Sequence, residues 1–481
     1  MKYYNSMFSR SNLVLTLVLL QITVAGYSQK GTQSPYSIFG IGELNQGQYV
    51  SFASMGGIAV ANSDSTISNS NNPATYAYFN RYRPVFQIGM NGRHSVFTTT
   101  SSSSTQQNFG LNQFQMGLPI KKNWGASFGL VPYSFTGYTI TNYDVLDDDT
   151  LGQLVNEGSG AVTKVFLGVG YKPLNHSILD TNYSKKDTTY TIKTHILALG
   201  VNANYLFGSS AKTQSYEYLT NQQAYNSRVS TALRISDFST DFGFNYQYYF
   251  RPADTDEKMN GSVSVGGTYS PGFKLRAFQD LFAHTYAGSF YGNSAQLAIF
   301  DTVEFVTNFK GSVYIPDQYK AGIEYRFGWK PSRKGERLLR IGTEVNYQKW
   351  SDYYEDFGTV SYPTYYKDRL TLGFGIEFAP VIGNDPSINI LARTNYRFGF
   401  NYTQTELTLN ATNLTNYGMT FGLGIPVNVN STNTTINFGA SYGNMGTTNA
   451  GLINERYLGF YFGLSIIPDR NELWFVKRKY D

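Results

Sequence analysis

The sequence predicts an all-β protein, an antiparallel transmembrane β-barrel of about 14 strands with an N-terminal hatch in its lumen, on three observations. The first is composition. The chain of 481 residues is 16% aromatic and only 15% charged, where soluble domains carry roughly 25% charged residues. A mean hydropathy of -0.30 is nevertheless too polar for a bundle of membrane helices. The second is a two-residue alternation of apolar with polar or glycine positions that recurs along most of the chain. The third is an N-terminus suited to export. With no Cys, disulfides and thiolate metal sites are excluded.

Lys2 and Arg10 precede an apolar run from Leu13 to Gly26, and Gly26 and Ser28 fit a signal-peptidase site. The run is shorter than the roughly 17 to 25 residues that a membrane-spanning helix needs. Residues 1–28 are therefore expected to be a cleaved signal peptide, which places the mature chain in the outer membrane of a Gram-negative cell. Residues 29–83 are rich in Gly, Ser and Asn, do not alternate, and form the expected hatch. Residues 84–481 form the expected barrel.

The alternation is explicit in the barrel region. Leu197, Leu199, Val201, Ala203, Tyr205 and Phe207 interleave with Ala198, Gly200, Asn202 and Asn204; Ile341, Thr343, Val345 and Tyr347 interleave with Gly342, Glu344, Asn346 and Gln348. Further copies run through 242–248, 321–327, 370–378, 419–427, 436–442 and 458–466, whereas 258–310 is ambiguous. Each segment has one apolar face for lipid or a core and one polar face, as a half-buried strand requires. Trp124, Tyr138, Trp350 and Trp474 are expected at interfacial girdles. Lys121-Lys122-Asn123 and Gly383-Asn384-Asp385 read as tight turns, and 143–160, 209–230 and 276–295 as long polar loops.

At two places the sequence resembles a known family. The small-residue run through Ser34-Pro35-Tyr36-Ser37-Ile38-Phe39-Gly40-Ile41-Gly42 and Met55-Gly56-Gly57, ending in Asn72-Pro73-Ala74, resembles the N-terminal hatch of FadL-type outer-membrane long-chain fatty acid transporters. Ile315-Pro316-Asp317-Gln318-Tyr319 through Tyr325, followed by Gly342 to Tyr347 and Trp350-Ser351, is similar to the central hairpin of the same family. The resemblance implies fourteen strands plugged by the hatch, with a hydrophobic ligand entering from outside and leaving sideways through a gap in the wall. Ile38, Phe39, Ile41, Asn72, Pro73 and Ala74 are then the candidate ligand-binding or hatch residues; their structural alternative is packing of the hatch against the wall.

The polar faces carry Glu324, Arg326 and Glu344 on successive segments and Glu377, Arg393 and Arg397 on the next two. In register these would form a lumenal charge belt, and Arg393 or Arg397 could instead hold a ligand carboxylate. Catalysis finds little support. His94, His176, His195 and His284 lack metal-ligand spacing, and the Gly-x-Ser-x-Gly matches at 125–129 and 439–443 lie inside alternating segments rather than on a strand-to-helix elbow. Asp147-Asp148-Asp149 lacks a complete calcium loop. No cofactor, metal, enzymatic role or nucleic-acid partner is expected; outer-membrane lipid is.

Two functions remain, of which the resemblance favours the first. One is transport of hydrophobic, fatty-acid-like small molecules, which predicts a continuous apolar pocket beside the hatch and a break in the wall. The other is a non-transporting FadL-like subunit of a larger outer-membrane assembly for protein secretion or barrel insertion. This predicts outer-membrane protein partners, a filled lumen and an exposed apolar or aromatic patch outside the lipid belt.

Overall fold

The computed structural model describes residues 31–468 apart from 46, 82, 147–148, 184–187, 220–223, 253–258, 288–297, 330–335, 382–386 and 430–431. The signal peptide, Asp147 and Asp148, the turn at 383–385 and the terminal Trp474 and Lys477-Arg478-Lys479 lie outside the described residues, as does the Asp149 side chain.

Inside the barrel lie β1 (Glu43–Leu44), the short helix α1 (Val50–Ala53) and a 3-10 turn, Pro73–Tyr78. The wall opens with β2 (Val85–Thr98), β3 (Ser103–Lys121), β4 (Trp124–Leu146), β5 (Asp149–Tyr183), β6 (Thr188–Tyr218) and β7 (Asn226–Pro252). Next come β8 (Met259–Ser270), prolonged by β9 (Phe273–Ala287), and β10 (Ala298–Ile315), prolonged by β11 (Gln318–Trp329). After β12 (Arg337–Gln348), the short strands β13 (Tyr354–Asp356) and β14 (Val360–Ser361) stand beyond the rim. The wall ends with β15 (Arg369–Ala379), β16 (Asn395–Leu409), β17 (Thr412–Val429), β18 (Thr432–Gly446) and β19 (Asn454–Ile467). β19 pairs antiparallel with β2 from Ile466↔Phe86 to Asn454↔Thr98 and closes a fourteen-stranded barrel. The expected fold is met.

The described residues of the ambiguous stretch 258–310 belong to two kinked wall strands. Pro271-Gly272 and Pro316-Asp317 face each other across the hairpin, and a proline cannot donate to the ladder. Pairing therefore breaks between Ser270↔Gln318 and Phe273↔Ile315 and resumes in the same register. Asp317 Oδ1 mends the break by accepting from Gly272 N at 2.9 Å and Tyr269 Oη at 2.8 Å.

Side-chain parity along the strands follows the sequence. Leu199, Val201, Tyr205, Ile323, Tyr325, Val345, Phe374 and Phe421 face outward and are exposed, while Asn202, Asn204, Glu324 and Glu344 face inward and are buried. Trp124 stacks on Tyr171 on the outer face. Two expected girdle residues do not: Tyr138 and Trp350 are each 1% exposed. Tyr138 turns inward on β4, and Trp350 lies in a 3-10 turn that folds over the lumen against Tyr353 and Tyr366. The expected long loops are also corrected. Among the described residues, 143–146, 149–160, 209–218, 226–230 and 276–287 are strand, because β4 to β7 and β9 continue well past the apolar belt, while 288–295 lie outside the described residues. There water replaces lipid outside, so hydrophilic residues on both faces no longer disfavour a strand.

Candidate functional site

The lumen is filled by the N-terminal segment, and the contacts that hold it form a polar lock. Glu344 on β12 points inward, and its Oε2 accepts from the backbone N–H of Ala59 and Val60 at 2.6 and 2.8 Å. Asn62 Nδ2 donates to Glu324 Oε2 at 3.1 Å. Beside it, Arg340 pairs with Asp64 of the plug at 3.3 Å, with Glu324 at 3.5 Å and with Glu377 at 3.7 Å. Glu377 also pairs with Arg397, whose Nη1 donates to Asn437 Oδ1 at 2.8 Å, and Asn437 in turn donates to Tyr49 Oη of the plug. Buried ions persist only when paired and hydrogen-bonded. Here Asp64–Arg340 joins plug to wall, and the other pairs tie neighbouring wall strands around it.

Burial alone would raise the Asp64 carboxyl, but Arg340 and Arg326 outweigh it, and hydrogen bonds from Thr66 help hold it at about 2. A lowered folded pKa stabilises above the unfolded value of roughly 3.9, and that contribution is lost as pH falls through the folded one. Acid titration of the purified barrel should therefore release the Asp64 anchor only as pH approaches about 2, read as protease access to the plug. Glu344→Ala strands two buried N–H donors, each worth roughly 1–3 kcal/mol. It should lower the urea midpoint for loss of heat-resistant gel mobility, while Glu344→Gln, which retains an acceptor, should lower it less.

A second set of contacts anchors the Asn72-Pro73-Ala74 turn. Asn72 caps its own turn by accepting from Ala74 N and donates to Val60 O at 2.7 Å and Phe244 O at 2.9 Å. Tyr76 and Tyr78 donate to Asn202 and Asn245 on the wall. The wall admits this backbone because glycines face it: a Cβ on Gly200 would collide with Pro73 and Ala74, and one on Gly399 with Met55 and Gly56.

The remaining expected residues divide. Ile41 is 2% exposed in the core cluster above the plug, and Phe39 packs on that cluster and on Tyr365. Ile38 is only partly buried. Glu324, Glu344, Glu377 and Arg397 come together in the lock. Arg326 joins it electrostatically through Asp64, although its Nε and Nη2 make no hydrogen bond. Arg393 is corrected: it lies on the short helix α2 (Ile390–Arg393), not on a strand, and its Nε bonds Ile388 O. Sequence reasoning missed Arg340, which bonds three carboxylates. The signal was present, since Arg340 shares the inward parity of Glu344.

The wall is not paired throughout. β3 and β4 pair from Lys121↔Trp124 to Phe114↔Leu130 and no further. Pro132, two residues further along β4, has no N–H to offer β3. The plug fills the seam: Glu43 and Leu44 pair with Phe135 and Ser134, Asn45 N bonds Tyr133 O at 2.9 Å, and Asn112 of β3 donates to Gln48 O at 2.6 Å. Cavities of about 90 and 210 Å³ beside the plug are lined in part by Lys164, Lys320, Glu344, Arg369, Arg93 and Glu406. Another, of about 580 Å³, lies at the end where β2 begins and β19 ends, among Arg83, Arg326, Arg340 and Glu336. An apolar hollow of about 570 Å³ is on the outer wall, between Phe244, Tyr269, Tyr319 and Val345.

The Gly-x-Ser-x-Gly matches lie within β4 and β18. Ser127 Oγ shares a hydrogen bond with Ser68 Oγ of the plug, and Ser441 Oγ with Tyr461 Oη.

A family model described as BamG matches residues 9–184 and 181–481, almost the whole sequence. The chain belongs to the BamG family. No curated protein shows significant sequence similarity to it. Among solved structures, this BamG-family barrel is similar to the toluene transporter TbuX of Ralstonia pickettii, at 15% identity and a TM-score of 0.47 over 87% of this chain and 98% of that one. It is also similar to a FadL homologue of Pseudomonas aeruginosa, at 13% identity and a TM-score of 0.49 over 88% and 98%. The Pseudomonas putida toluene transporter TodX is similar at 12% identity and a TM-score of 0.42 over 88% and 98%. This BamG-family chain is a closed antiparallel β-barrel of fourteen strands.

Proposed function

We propose that this protein is a plugged outer-membrane barrel serving as a non-transporting subunit of an assembly concerned with barrel insertion. The observation that carries this reading is membership of the BamG family over nearly the full chain, a name that associates the family with barrel assembly. The geometry supports it. The plug is tied to many wall strands by ion pairs and side-chain hydrogen bonds, and the cavities flanking it carry charged side chains that a hydrocarbon chain would have to desolvate. One observation favours transport instead: the unpaired seam between β3 and β4 is a break in the wall. The plug segment from Glu43 to Gln48 occupies it and bonds both lips, which favours a closed seam.

Gentle detergent extraction of the tagged full-length protein from native membranes, followed by size analysis and mass spectrometry of proteins and lipids, tests the assignment. Stoichiometric outer-membrane proteins around a barrel free of fatty acid are expected. A lone barrel carrying fatty acids or hydrocarbons would return the protein to transport.

A further inference from the structure

We propose that the free edge of β10, from Ile299 to Asn308, is a strand-addition site for an extended partner segment in which apolar residues alternate with lysine or arginine. This rests on the subunit reading and names where the partner binds.

On one side β10 pairs with β9. On the other, only Ser312, Val313 and Tyr314 pair, with β13. Among the described residues no strand pairs with the edge from Ile299 to Asn308, so its backbone donors and acceptors are available, save the Asn308 N–H, which donates to Asp280 Oδ1 at 2.7 Å. The segment stands clear of the membrane. Phe309 to Ile299 lie roughly seven to seventeen residues beyond the Pro316 kink, or about 23 to 56 Å along the strand at ~3.3 Å per residue. Tyr269 and Tyr319, at the rim of the outer apolar belt, lie on the other side of that kink.

Lipid therefore does not account for the apolar residues here. Ile299, Phe300, Val303, Phe305 and Phe309 are 53, 55, 69, 65 and 44% exposed. Bulges at Ile299/Asp301, Thr302/Glu304 and Val306/Phe309 bend the strand. Bulges and charges ordinarily guard an edge against indiscriminate pairing, but a guarded edge does not need five large apolar side chains in water. Together they describe an edge that rejects most strands and accepts one kind.

The acids decide which kind. Asp301 and Glu304 are exposed and in no ion pair among the described residues. A second copy paired antiparallel with Asp301 opposite Glu304 would set two pairs of carboxylates face to face, which like-charge repulsion disfavours. A segment bearing lysine or arginine gains the same charges as partners and covers the aromatics with its apolar residues.

The test places a photo-crosslinking residue singly at Thr302, Val303, Glu304 and Phe305 of the full-length protein in native membranes and sequences the linked peptides. Crosslinks should advance one residue at a time along one segment of one other protein, with lysine or arginine near the Glu304 contact. Asp301→Lys with Glu304→Lys should reduce crosslinking and partner recovery at least fivefold while the barrel keeps its heat-resistant mobility. Crosslinks confined to lipid or to a second copy, or partners that co-extract undiminished with the double variant, overturn this site and leave the subunit reading standing. A wild-type barrel that extracts alone overturns both.

Discussion

Arg340→Ala is expected to destabilise the folded barrel by roughly 3–5 kcal/mol, the usual cost of leaving buried charges without their partner. Arg340 is 4% exposed at its side chain and stands among Asp64, Glu324 and Glu377, themselves 23, 4 and 3% exposed. Its removal leaves Glu324 with a neutral amide hydrogen bond from Asn62 and Glu377 with its Arg397 pair, with Arg326 as the remaining nearby cation. The carboxylates then repel one another in a poorly solvated lumen. Because Asp64 belongs to the plug and the others to the wall, the same change should loosen the plug. Urea titration of heat-resistant mobility measures the first effect, and protease cleavage between residues 31 and 80 in the assembled barrel measures the second. Arg340→Lys keeps the charge but not the planar fork, and should recover only part of the loss. Wild-type midpoints in both variants would mean that the lock is ornamental to the fold.

Gly399→Val is expected to expel the plug rather than unfold the wall. Position 399 faces inward on β16, where even a Cβ would overlap the backbone of Met55 and Gly56. Gly56 is itself held by Thr420, which accepts from its N–H at 2.9 Å. Overpacking of side chains usually costs about 1–3 kcal/mol because neighbours shift. Here the neighbour is backbone pinned in a turn with Gly56 at φ 67°, so relief requires the whole turn to move. The barrel should still migrate as a heat-resistant species, since Gly399 keeps its strand partners Gly375 and Thr420. Planar-bilayer conductance should rise from near closed to that of an open pore. An unchanged conductance with intact folding would show that the plug seals the lumen without this contact.

Much of the architecture was legible because parity is a local property. Leu199 and Asn202 face opposite sides of β6 wherever the strand lies in the barrel. The hatch was legible by the failure of that pattern before Val85. Less was legible where local chemistry was ambiguous. The Thr- and Ser-rich stretch around 209–218 read as a loop, but pairing with β5 and β7 keeps it a strand. Trp350 and Tyr138 have the residue types of a girdle, yet the chain turns them into the core.

Composition and a two-residue period already mark this chain as a β-barrel with a polar lumen, because they constrain every strand independently of its neighbours. Which lumenal charges meet depends on the closed barrel. Asp64 and Arg340 are 276 positions apart, and strand register together with the path of the plug brings them into contact. The closed barrel also decides where the wall opens and where an edge stays free, because a missing pairing is a relation between two strands. Pro132 and Pro316 can be read in one dimension, but the seam that Glu43 and Leu44 fill beside β4 exists only once the barrel has closed around its own N-terminus.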